Sequence, residues 1–115
     1  MDQYHVWCDI KRGKDMDFAR AVRAFLGNLQ SGGKIESYRL TRRKLGLGPK
    51  GLGEFHIVIE VTGLAQLDDA FGTVATRSGE IEELHFGANS LVTDISFALM
   101  RDFPDDVREE GEEKF

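Results

Sequence analysis

The sequence predicts an α+β domain in the order β-α-β-β-α-β, with two helices on one face of a four-stranded antiparallel sheet. Three observations carry this reading. Residues 3–10 and 53–62 alternate in side-chain character with the two-residue period of strands. Two other segments repeat apolar residues at three- and four-residue steps, as helices do. Clusters of glycine and polar residues separate the segments.

The first strand, 3–10, sets Tyr4, Val6, Cys8 and Ile10 against His5, Trp7 and Asp9. A polar turn at 11–14 leads into a helix for which Asp15 is the expected N-cap. Asp17 is also favourable near the positive end of the helix dipole. Phe18, Val22, Phe25, Leu26 and Leu29 form the apolar stripe, and Gly32-Gly33 ends the helix. Residues 34–45 return as a strand bearing Arg39, Arg42, Arg43 and Lys44, charges that suit a sheet edge and could also hold an anion. The run 46–53 formally contains G-x-G-x-x-G. A strand rather than a helix follows it and Pro49 interrupts it, so it reads as a hairpin connection, not a phosphate cradle.

The central strand repeats the opening of the chain, Phe55-His56-Ile57 echoing Tyr4-His5-Val6. It places Phe55, Ile57, Ile59 and Val61 opposite His56, Val58 and Glu60. Leu64, Leu67, Phe71 and Val74 mark the second helix, in which Gly72 suggests close packing and Ser78-Gly79 a stop. Ile81, Leu84 and Ala88 fit a short further helix with His85-Phe86-Gly87 near its end. Residues 90–101 alternate as the last strand, with Leu91, Thr93, Ile95, Phe97 and Leu99 on one face.

At 115 residues the chain has room for one domain, here residues 1–104. Residues 105–115 hold six acids against two bases and read as a mobile tail, or one that docks on the basic strand. No apolar run approaches the roughly 20 residues of a membrane span, and the start lacks the pattern of a signal peptide. A net charge of −5 argues against nucleic acid as a partner. One cysteine, Cys8, rules out an internal disulfide and suits a reducing compartment, so a cytoplasmic location is expected.

Both central strands carry one wholly apolar row and one mixed row with the histidines. If the mixed row lies under the helices, the apolar row of Val6, Cys8, Ile10, Ile57, Ile59 and Val61 faces outward. A second copy packed sheet to sheet would then cover it. A homodimer through the sheet face is the expectation.

On these elements the chain resembles the dimeric α/β-barrel superfamily, whose ferredoxin-like protomers pair through their sheets. The likeness spans about residues 3–103 and lies nearest the stress-responsive A/B-barrel domains. It implies a ligand cleft between sheet and helices, and activities that range from polyketide cyclases and small monooxygenases to haem-degrading enzymes. Plant polyketide cyclases of the superfamily carry histidines that match His5, His56 in His56-Ile57-Val58-Ile59-Glu60-Val61-Thr62, and His85 in His85-Phe86-Gly87. Their helix tyrosine falls at Phe71, which has no proton to give.

A register pairing Trp7 with Val58 would set His5 opposite Glu60 and Asp9 opposite His56, a carboxylate beside each imidazole as a general base wants. The expected site therefore has His56 as base, with His5 and His85 orienting a carbonyl. Trp7, Asp9, Glu60, Phe25 and Phe71 would line it. No cofactor is expected and no histidine spacing marks a metal site; haem, with His85 as ligand, is a reading that only the resemblance implies. The expected function is binding of a small apolar or aromatic metabolite, with cofactor-independent acid–base chemistry. The alternatives are a non-catalytic dimeric binding or stress-response module whose histidines are structural, and a haem-binding or monooxygenase-like member.

Overall fold

A computed structural model describes residues 1–76 and 79–111. The element order is β1 (Asp2–Ile10), α1 (Asp15–Ser31), β2 (Ser37–Arg42), β3 (Phe55–Val61), α2 (Leu64–Ala75), α3 (Gly79–Asn89) and β4 (Val92–Arg101). The four strands form one antiparallel sheet in the order β2-β3-β1-β4, so β2 and β4 are its edges. The βαββαβ plan is as expected, the second crossover being split into α2 and α3. The expected stop at Ser78 lies outside the described residues.

Helix α1 buries Phe18, Val22, Leu26 and Leu29, the stripe its spacing dictates. Asp15 is not its cap. Lys14 occupies that position without a side-chain cap bond, and Asp15 and Asp17 sit in the first turn, where carboxylates meet the positive helix end. The far end closes as a Schellman motif: Lys34 N–H donates to the Leu29 carbonyl, Gly33 N–H to that of Gln30, and Gly33 takes φ of 72°.

The sheet face under the helices corrects one expectation. Val6, Cys8, Phe55, Ile57 and Val61 pack against α1, Leu67 and Ala70 of α2, and Ala88 of α3 in a single core. The apolar row therefore faces the helices, and the mixed row with His5, Trp7 and His56 faces away. The physical reason is plain: three helices offer an apolar surface, and the row that loses most by contact with water takes it. Gly72 also departs from expectation, because nothing lies within 4 Å of where its β-carbon would stand.

Between β2 and β3, residues 43–54 fold back over the end of β1. The Arg43 guanidinium fastens this loop, donating to the carbonyls of Pro49, Leu52 and Gly53 at 3.2, 2.9 and 3.4 Å. Arg42 pairs with Asp15 and Glu54. Two of the cations suggested as an anion strip are thus committed to the fold. Arg43→Met is expected to cost about 1–2 kcal/mol by leaving carbonyls unpaired. Hydrogen exchange should show faster opening confined to 44–54, with the helices unaffected.

In β4 the pairing with β1 slips between Asp9 and Ile10, beyond which Ile95, Phe97 and Leu99 continue on the helix side. They are 40%, 56% and 51% exposed, because the helices stop short of this edge. Past β4, Asp105 accepts hydrogen bonds from Arg101 and Arg108, which hold its carboxyl below the usual carboxylate range. The start of the acidic tail is therefore tied to β4 and not to basic β2. The rest of the expected mobile tail, residues 112–115, lies outside the described residues.

Candidate functional site

The fold sorts the expected site residues onto the two faces of the sheet. On the helix side is a cavity of about 300 Å³, walled by β1, β3 and β4 below and by all three helices above. Phe25 of α1, Phe71 of α2 and His85 of α3 line it, as do Tyr4 of β1 and Ile95 and Phe97 of β4. The Phe25 and His85 rings are 5.2 Å apart. Tyr4 takes Phe71 edge-on at 5.3 Å and lies nearly parallel to Phe97 at 5.8 Å, so three aromatic rings frame the end nearest β4.

Polar lining is sparse: of the residues around the cavity, Tyr4, Cys8, His85 and Asn89 carry polar side-chain groups. Burial pushes the Tyr4 phenol up, and burial together with the Asp9 charge pushes the Cys8 thiol up to about 11, so both stay protonated near neutrality. Cys8 is accordingly a poor nucleophile and a small apolar wall. No aspartate, glutamate, lysine or arginine is among the described residues lining the cavity.

The opposite face holds the other group. The register sets Trp7 against His56 and His5 against Val58, two residues from the expected pairing. A shift of two keeps every side chain on its face but changes its neighbours. Instead of meeting carboxylates, the imidazoles meet each other, His5 Nδ1 lying 2.9 Å from His56 Nε2. Their ring centroids are 5.1 Å apart with planes 15° from parallel, so the rings are joined edge to edge through one N–H···N bond. Trp7 lies at 1° to His56 with centroids 4.5 Å apart, an offset stack along the same face. Burial and then the neighbouring His5 hold the His56 pKa below its ordinary value.

The carboxylates expected beside the imidazoles are engaged elsewhere. Asp9 accepts the Glu54 N–H at 3.0 Å, and Glu60 accepts the Ser37 hydroxyl at 3.0 Å. Of the eight expected site residues, His85, Phe25 and Phe71 share the cavity, whereas His5, His56, Trp7, Asp9 and Glu60 lie across the sheet from it. The three histidines therefore do not converge on one ligand. Sequence reasoning missed Tyr4, Ile95 and Phe97 as cavity walls. Their signal was the same alternation that marks Val6 as core, and the face could be chosen only once the helices were placed.

The model of a family of unknown function, DUF6614, matches residues 1–115. No curated protein matches. Among solved structures, a dimeric ferredoxin-like protein of unknown function from Jannaschia sp. CCS1 is similar at 13% identity, covering 89% of this chain and 100% of its own, with a TM-score of 0.63. An antibiotic biosynthesis monooxygenase is similar at 19% identity over 90% of this chain and 100% of its own, with a TM-score of 0.62. MhuD with two manganese protoporphyrin IX molecules per active site is similar at 11% identity over 91% of this chain and 97% of its own, with a TM-score of 0.66. At such identities the likeness shows the ferredoxin-like fold alone.

Proposed function

The chain belongs to the family of unknown function DUF6614, which assigns no activity, and from the cleft we propose that it binds a small, neutral, largely apolar or aromatic metabolite between helices and sheet. The observation that carries this is the lining: aromatic and aliphatic, with four polar groups and no charged side chain among the described residues. An anion entering such a cavity gives up its hydration and finds no cation, which costs several kcal/mol. The volume, about 300 Å³, is at the lower end of the range for small-molecule sites. A tetrapyrrole fits this lining poorly, because its carboxylates would have no arginine or lysine to meet there.

Within the cleft His85 is the acid–base group. An imidazole can accept a proton from a carbon acid or donate a hydrogen bond to a carbonyl. The protonated Tyr4 phenol is the second donor, and enolisation or isomerisation is the chemistry that the pair supports. Where the ligand only binds, the same two groups read its polar atom.

A homodimer through the helix-free sheet face completes the reading. That face presents Trp7, Val58, Ala98 and Met100 with Arg39 toward the β2 edge and Asp94 on the β4 edge. A two-fold axis along the strands would lay β2 over the partner's β4 and bring the two uncovered faces together in an isologous contact.

Thermal-shift and calorimetric titration with a neutral aryl ketone or phenol, and with the aryl carboxylate of the same skeleton, tests the ligand class. The neutral probe should raise Tm by several degrees at 100-fold excess over its Kd. The carboxylate should bind at least tenfold more weakly. His85→Ala should weaken the neutral probe, and His56→Gln, across the sheet, should leave its affinity unchanged. Tighter binding of the carboxylate would overturn the proposal.

A further inference from the structure

We infer that the His5–His56 pair makes the contact between two copies of the chain proton-sensitive, so that acid separates the dimer. The inference rests on the sheet-face dimer just proposed, and names how that interface is regulated.

The pair has a defined proton capacity. Two neutral imidazoles carry one N–H each, and the 2.9 Å bond uses one of them between Nδ1 of His5 and Nε2 of His56. A third proton can settle on an outward nitrogen, which leaves the bond intact. A fourth must occupy the inner nitrogen that accepts the bond. Two N–H groups then point at each other and the bond is lost. As folded, the pair holds one positive charge and not two.

Among the described residues no carboxylate is hydrogen-bonded to or ion-paired with either imidazole. Among the described residues, the ionisable groups on this face include Asp9 of β1, Arg39 of β2, Glu60 of β3 and Asp94 of β4, and at its end Asp102, which accepts from Gln3 and pairs with the Met1 amino group. Asp9, Glu60 and Asp94 accept bonds from the Glu54 N–H, the Ser37 hydroxyl and the Ile95 N–H. The remaining neighbours in the row, Gln3, Thr41, Val58, Ser96, Ala98 and Met100, carry no charge. A second sheet laid over this face removes water from the imidazoles, and Trp7 already removes part of it.

The sign follows from linkage. A desolvated histidine prefers its neutral form, so the free protomer takes up protons more readily than the dimer, and falling pH favours separation. Above the pH at which the free protomer's pair gains its proton, the affinity is flat. Below it, one proton gained per protomer raises Kd by up to about a hundredfold per pH unit, the product of two tenfold factors.

Sedimentation velocity at pH 7.5, 6.5 and 5.5, over a dilution series, tests this on the full chain, with far-ultraviolet circular dichroism to confirm the fold at each pH. The expected result is a Kd at least tenfold higher at pH 5.5 than at 7.5, and a flat profile in the double variant His5→Gln, His56→Gln. The single tryptophan, Trp7, gives a second readout in wild type that needs no variant. A protonated imidazole stacked on it quenches its emission, and the quench midpoint should coincide with dissociation. A wild-type dimer whose Kd ignores pH, a quench without dissociation, or an equal pH response in the double variant would overturn the switch and leave the dimer standing. A monomer at every pH would overturn the dimer and the switch with it.

Discussion

Phe18→Ala is expected to lower unfolding stability by about 3–5 kcal/mol, a large part of the roughly 5–15 kcal/mol that a domain commonly has. The Phe18 side chain is 1% exposed and sits at the first core turn of α1, with its ring edge-on to Phe55 at 5.4 Å. It is also one wall of the cavity. Truncation removes the transfer free energy of the ring and enlarges a space that the neighbouring strands, held in register, cannot collapse to fill. Urea unfolding followed by circular dichroism should show a much lower midpoint with an unchanged slope. Phe71→Ala is the contrast: Phe71 is 48% exposed, and its loss should cost about 1 kcal/mol or less while changing ligand affinity.

Gly53→Ala is the second large effect, at least about 3 kcal/mol, and it acts by collision rather than by cavity. A β-carbon on Gly53 would overlap the Cys8 backbone. Backbone in the middle of a sheet cannot move as a lysine tip can, because Cys8 is paired with Phe55 on one side and Ile95 on the other. Relief requires the loop from 43 to 54 to lift, which breaks the bond from Arg43 N–H to the Glu54 carbonyl and the Arg43 side-chain contacts. Thermal unfolding should show the loss. Gly51→Ala is a milder comparison, strained only through its φ of 78° with nothing near its β-carbon.

Element order and most of the core were legible in the sequence, because hydrophobic periodicity is a local property and each helix or strand writes it within its own residues. Phe18, Val22, Leu26 and Leu29 on α1 are such a case. What was not legible is relational. The alternation in β1 and β3 fixes two rows without saying which row the helices cover. Deciding that needs all three helices in place, and the wrong choice put the apolar row outside. Register is relational too: pairing Trp7 with His56 and pairing it with Val58 leave every residue on the same face, so periodicity cannot separate them. Only the first brings His5 and His56 together. The geometry of the candidate site was not legible: eight residues were named for one cleft, and they lie on the two faces of the sheet.

The two edges of the sheet carry different safeguards against unwanted growth. Edge β2 has Arg39 and Arg42 along six residues, charges that a docking strand would have to bury. Edge β4 has Ile95-Ser96-Phe97-Ala98-Leu99-Met100, six uncharged residues with no proline between Asp94 and Arg101. Such a run is a template for cross-β stacking, and only its flanking charges act as gatekeepers. When the chain is stressed, intermolecular aggregation will begin at β4. A lysine in place of Ser96, on the side away from the cleft, would suppress it and leave the ligand walls as they are, at the cost of a charge beside Trp7 on the face proposed for the dimer.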